Sequence, residues 1–494
     1  MLNLQLQLNP ARTADLVELL PEDVEIQGAF RARGRVRGAL GALEGEVEIA
    51  FDNVRTWEES WQRGEALFRL RKGDLEITRI SLRRGAEQLT GEIDIGAGGA
   101  LRGRLTSTAM DVAKVGTLSG SQLAGRATFH LDFQGTLRDT VTLGRAAAGA
   151  LWYRDIPLGP GTATFKVEHK AVAVDLTFRE GTYRLRVGVG PPGDRSVKGE
   201  LTLADADLDL VARAGEIDVL RVWQARGSGR ILFQGPASAP AFGTGEAELS
   251  SLQLRLEGET WESRGMVRAS WSRPTMTLSK LQLRSGERDL DIHGTLQEGG
   301  QNDLTVTGQL PLTLLARFLP VIQPTAGIAT ANVRLRGTSS APEIQGKLEI
   351  QQGGLRLPGV PTEFHDVRAV LEHQGNRTQV RGWEARLAGG NFRGSAEIGR
   401  ADGRWDLRLS FQEDDGRAEQ LLRGLYGGKG EVTGALSLGG SLTSEGEETT
   451  DFWRNLNGDL KLVMRDGRIV GCVDRAEARA DVLLRMMSGL EQTA

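Results

Sequence analysis

Five histidines, His130, His169, His293, His365 and His373, come first because imidazole serves both metal binding and proton transfer. No two stand as H-x-x-x-H, and the single cysteine, Cys472, has no thiolate partner, so no metal or cofactor site is expected. No G-x-S-x-G elbow is present for a serine hydrolase. The stretch GLYGGKGE, Gly424 to Glu431, is close to a phosphate loop. Its Lys429 is followed by Gly430 rather than Ser or Thr, however, and it follows a helical pattern, so Gly427 and Gly428 read as a helix C-cap. The acidic run Glu445 to Asp451 lacks the alternating ligands of a calcium loop and reads as a solvated segment. Glu413, Asp414 and Asp415 read as N-cap material for the helix after them. An enzyme acting on glycans through paired carboxylates stays open in a chain with 65 acidic residues.

The elements that would position any site recur along the chain. A short strand framed by small residues appears at Gly28 to Gly38, Gly125 to Gly135, Ala225 to Gly235, Gly327 to Gly337 and Gly430 to Gly440, about 100 residues apart each time. Ser-Ala-Pro follows two of the closing glycines at one offset, at Ser238 to Pro240 and Ser340 to Pro342. Apolar residues at helical spacing precede each framed strand: Leu16, Leu19 and Leu20; Val112 and Val115; Ile217 and Leu220; Leu314, Leu315, Phe318 and Leu319; Ala418, Leu421, Leu422 and Leu425. The organisation read from this is a leading strand and helix over 1–27 and repeats at 28–124, 125–224, 225–326 and 327–429. A truncated fifth repeat then occupies 430–494. In a tandem array, function resides in the surface that the repeats build together.

Composition narrows the classes. Only 39% of the residues are hydrophobic and 5% aromatic, while glycine reaches 65, which suits short strands and tight turns better than large close-packed enzyme domains. A formal charge of -4 gives no cationic excess for nucleic acid. The first residues alternate Leu2, Leu4, Leu6 and Leu8 with polar ones, a strand pattern without the basic and apolar regions of a signal peptide. No stretch approaches the ~18 apolar residues of a membrane helix. The chain therefore reads as one piece of a longer protein whose targeting signal or anchor lies elsewhere.

Between the helical patterns the chain alternates with period two. Val47, Ile49 and Phe51; Phe129, Leu131 and Phe133; Val174 and Leu176; Leu208 and Leu210; Leu252, Leu254 and Leu256; Leu348 and Ile350; and Leu407, Leu409 and Phe411 each share a face, with polar partners between them. One face of the sheet is therefore dry and the other wet. At roughly a dozen residues per strand and turn, on the order of 40 strands are expected. Two packings are open on this pattern: a row of β-sandwiches whose dry faces meet, or one sheet rolled into a trough.

The order of helix, framed strand, G-x-x-x-x-P-x-x-x-G link and further strands resembles the AsmA-like and TamB-like envelope proteins of the repeating β-groove group. The C-terminal stretch resembles the AsmA-like C-terminal region through Leu456, Gly458, Asp466, Gly467 and Ile469 and a helix bearing Leu483, Met486, Met487 and Leu490. The resemblance implies a mostly β fold: a long antiparallel sheet of tandem repeats rolled into an open, twisted groove, with short amphipathic helices between repeats. It implies a bridge in the periplasm of a Gram-negative envelope, membrane-anchored and spanning between inner and outer membranes, that transports phospholipid or another acylated lipid. The apolar residues named above would line the groove, with Leu314, Leu315, Phe318 and Leu319 on a helix that covers it. No catalysis is implied. The alternative reading is a scaffold for outer-membrane β-barrel proteins, which would use exposed strand edges as templates.

Overall fold

The computed structural model describes residues 2–12, 26–39, 42–56, 59–115, 122–136, 139–191, 194, 196–215, 224–236, 243–256, 258–297, 299–317, 323–338, 341–356, 362–387, 389–401, 404–418, 420, 434–447 and 455–465. They form 29 strands, fewer than the ~40 that a dozen residues per strand suggests. The difference lies in strand length: Gln323–Thr338 and Ala341–Arg356 each run 16 residues. The chain divides into two units, Met1–Leu252 and Gln253–Ala494.

Each unit is an antiparallel meander in which strands pair with their sequence neighbours. In the first, Leu2–Arg12 pairs with Ile26–Ala39, which pairs with Ala42–Thr56, and so on to Gln224–Pro236. In the second, Thr275–Ser285 pairs with Arg288–Gln297 and the succession runs to Asn457–Arg465. Within each unit the strands form one continuous sheet with a single dry face. It is groove-like, its residues half-covering one another.

The framed segments that lie wholly among the described residues each fall on a strand, and five strand positions separate one framed strand from the next when an interrupted strand is counted once, as with Ala100–Ser107 and Met110–Asp111 or Glu259–Ser263 and Val267–Ser272. Between Leu123–Thr136 and Gln224–Pro236 these are Thr140–Tyr153, Ile156–Glu168, Ala171–Phe178, Tyr183–Val189 and Ser196–Asp207. An odd number of intervening antiparallel strands returns the framed strand to the same direction. The helical segments before these strands consequently fall on one rim of each unit: Val112–Lys114 and Leu208–Ala214 in the first, Leu312–Arg317 in the second. The opposite rim carries short hairpin turns such as Lys72-Gly73 and His169-Lys170.

Three local expectations change. Leu208 and Leu210 are not on a strand: Asp205, with φ 47°, breaks the register after Leu203, and the Asp207 carboxylate accepts a hydrogen bond from the Asp209 N–H at 2.9 Å, starting the helix Leu208–Ala214. Glu413 and Asp414 cap no helix, since strand Arg404–Arg417 runs through them. The Leu314 segment is a 3-10 turn in which Leu312 is buried and Leu314 half-buried. Phe318, Leu319, Leu16, Ile217, Leu421, Cys472 and the C-terminal Asp466 to Leu490 lie outside the described residues.

Candidate functional site

The alternation separates two surfaces of opposite chemistry. On Ile26–Ala39, Phe30, Ala32 and Val36 are buried on one face while Arg31, Arg33, Arg35 and Arg37 stand exposed on the other. The wet face is tied by cross-strand ion pairs, among them Arg31 with Asp52 at 2.6 Å and Arg230 with Glu248 at 2.7 Å. Arg184 lies 2.5 Å from Asp175, and the hydrogen bond between them holds the Asp175 carboxyl below its ordinary range and raises the guanidinium. Such exposed pairs contribute little stability each and mainly fix register.

The dry face is continuous across strands. Following cross-strand partners in the first unit from Ile80 through Leu105, Leu131, Phe165, Val187 and Phe233, every residue met is apolar or glycine. In the second unit the row from Leu283 through Leu348, Leu371 and Leu409 to Leu442 is likewise unbroken. The first of these rows is half-buried at Leu131, Phe165, Val174, Val187 and Phe233. Those side chains are packed laterally but retain access from above, which a sealed core would deny.

Glycine shapes this surface. A β-carbon on Gly144 would lie 2.0 Å from Phe165 Cζ, and one on Gly199 would lie 2.1 Å from Phe233 Cζ. Each ring therefore lies over the neighbouring glycine instead of standing into the trough. Gly64 receives Leu82 in the same way, with a β-carbon there 2.5 Å from Leu82 Cδ2. Glycine in a strand costs conformational entropy, and here it gives room for a large neighbour to lie down.

The helical rim is sealed by small cores with polar latches. Phe178 and Tyr183 stack with centroids 4.9 Å apart, and the Tyr183 hydroxyl donates to the Asp207 carbonyl at 2.8 Å, fastening the helix that buries Leu208, Leu210 and Ala212. In the first repeat Arg84 lies 5.2 Å over Trp61 and contacts Glu87 at 2.6 Å and Glu59 at 3.1 Å. Burial works against the Arg84 charge, but Glu87 and Glu59 outweigh it and raise its pKa. Arg288 repeats the arrangement with Trp261 at 5.5 Å and Glu259 at 2.7 Å. A fully buried carboxylate, Glu413, accepts from the Leu438 N–H at 3.2 Å at the corresponding rim of its repeat.

Of the residues expected to line the trough, Val47, Ile49, Phe51, Phe129, Leu131, Phe133, Val174, Leu176, Leu252, Leu254, Leu256, Leu348, Ile350, Leu407, Leu409 and Phe411 do lie on the dry face. Leu254 and Ile350 are buried near the sealed rim, whereas Leu131, Val174 and Leu407 are half-open. Leu208 and Leu210 belong to the cover. The glycine-ring pairs and the Arg-on-Trp latches were not anticipated, although the repeated Glu-x-Trp at Glu59 and Glu259 was a visible sign of the latter.

A shallow hollow of about 750 Å³ lies on the wet face of the first unit, where Ala173 and Gly188 leave a low floor between Lys166 and Lys198. Among the described residues no helix is long and apolar enough to cross a membrane. No protein-family model, curated protein or solved structure matches this chain.

Proposed function

We propose that the dry face shelters the acyl chains of phospholipid or another acylated lipid, and that the chain works as a lipid-transporting bridge between the inner and outer membranes of a cell envelope. The observation that carries this is the unbroken, half-open row from Ile80 to Phe233. An acyl tail of about 16 carbons loses more than ~10 kcal/mol of shelter on entering water, at ~0.8 kcal/mol per CH₂. A surface that passes such a tail from strand to strand must offer apolar contact at every position, and one gap is a barrier. The sealed rim and the bare hairpin rim give the tail a closed end and the headgroup an open one. The periplasmic setting and the membrane partners follow from the resemblance to AsmA-like and TamB-like proteins and are part of the proposal.

The test is purification of the chain in mild detergent, followed by organic extraction and mass spectrometry. Stoichiometric recovery of diacyl lipid supports the reading. Recovery no greater than for a variant with Leu131→Glu and Val187→Glu on the dry face contradicts it.

A further inference from the structure

One cross-section of the second unit departs from the apolar rule. The row nearer the hairpin rim runs Ile292, Val306, Val333, Gly346 and then meets His373 opposite Thr378 before returning to Ile398 and Leu407. His373 and Thr378 are half-buried, and their deeper same-face neighbours Leu371 and Val380 are buried. At these two strands, Phe364–Gly375 and Arg377–Leu387, the open part of the dry face is therefore polar. The other dry-face ionisable side chains named above, Glu59, Arg84, Glu87, Glu259, Arg288 and Glu413, all sit at the sealed rim.

His373 Nδ1 lies 2.6 Å from Thr378 Oγ1. Its partner across the other strand is Gly346, which has no side chain to lie against the imidazole, and the ring also hydrogen-bonds the Gly375 backbone. No charge faces it from either neighbouring strand. Ala341–Arg356 presents Ile344, Gly346 and Leu348 on this face, and Arg377–Leu387 presents Thr378 and Val380. The nearby charges, Lys347 with Glu349, Glu372 with Arg381 and Arg377 with Glu397, are paired with one another on the wet face.

We propose that His373 and Thr378 form a headgroup-contact site in the trough, which binds the phosphate of an anionic amphiphile and so discriminates phosphate-bearing lipids from uncharged ones with the same tails. This rests on the lipid reading above. An imidazolium without a counter-ion in an apolar trough is unfavourable, and burial does lower the His373 pKa. A phosphate oxyanion supplies the missing counter-charge, so binding it takes up a proton and strengthens as the medium becomes more acidic. Thr378 holds the ring and contributes a hydroxyl. Small residues beside it leave space for the ligand.

The test measures binding to the full chain of a phosphate-bearing diacyl lipid, of the diacylglycerol with identical tails, and of inorganic phosphate, at about pH 8 and about pH 5.5. The wild type should bind the phospholipid about tenfold more tightly at the lower pH, the size of gaining one charge-assisted hydrogen bond, with diacylglycerol unchanged. His373→Leu should abolish that pH dependence while keeping diacylglycerol binding, and His373→Gln should retain part of the phospholipid preference without its pH dependence. Phospholipid and diacylglycerol binding alike in wild type and His373→Leu would overturn the site and leave the trough standing. Binding of neither lipid would overturn both. Inorganic phosphate competing at millimolar concentration would show a free-anion site and contradict the lipid assignment.

Discussion

The ring of Phe233 lies over Gly199 on the neighbouring strand, where a β-carbon would come within 2.1 Å of Cζ. The ring tip is the movable partner, so Gly199→Ala should lift it into the trough instead of breaking the strand. Overpacking of this kind costs about 1–3 kcal/mol. Chemical denaturation should show that cost, and Phe233→Ala in the Gly199→Ala background should recover most of it. Additive losses in the double variant would mean that the two residues do not share this space.

The same pair shows where sequence reading stops. Period-two alternation places Leu131, Val174 and Leu407 on one face, because the pleat allows no other outcome once a strand is granted. It says nothing of whether a ring stands or lies, since that depends on which residue the register sets opposite. Leu208 and Leu210 depart from the pattern for a related reason: Leu-Asp-Leu fits a strand, and only the turn at Asp205 with the cap at Asp207 converts it to a helix. The choice between sandwich and trough was open in the sequence because both bury the same alternating residues. The single continuous sheet fits the trough.

The helix at Leu208 supplies a second expectation. Asp207→Ala removes its N-cap and should cost about 1 kcal/mol, and Tyr183→Phe should cost about the same by freeing the Asp207 carbonyl. Leu208→Arg should reduce folded protein, because Leu208 is part of the seal and not of the open trough. Thermal melting of the three variants checks this; an unchanged melting temperature for Leu208→Arg would remove the helix from its assigned role.

The Arg84 cluster should behave unlike the surface pairs. Glu87→Ala leaves Arg84 with one carboxylate in a largely buried setting and frees the Asp111 N–H that Glu87 accepts at 2.8 Å. A loss of about 3 kcal/mol is expected. Asp52→Ala, which breaks the exposed pair with Arg31, should change stability by no more than about 0.5 kcal/mol. Similar losses for both would refute the difference in burial on which the prediction depends.

His373 gives a pH dependence whose sign follows from burial. Its folded pKa is lowered, so in the window below the unfolded value of about 6.5 the unfolded chain binds the extra proton and acid favours unfolding. The His373 contribution is present above that value and lost as pH falls through the lowered one. His373→Leu should therefore be more stable relative to wild type at about pH 5 than at about pH 7.5. Lipid-free protein in urea is the sample to measure, and a constant difference between the two proteins across this range would contradict the assignment.

On the proposed function, acyl chains lie on one face of the sheet only. Ala173 and Val174 are adjacent on strand Ala171–Phe178, similar in size, and point to opposite faces, Ala173 exposed on the wet side and Val174 half-buried on the dry side. A photoreactive residue at each position, irradiated in membranes or with added diacyl lipid, asks the question most directly. A lipid adduct is expected from position 174 and none above background from position 173. Equal capture from the two positions, or capture from 173 alone, would contradict it.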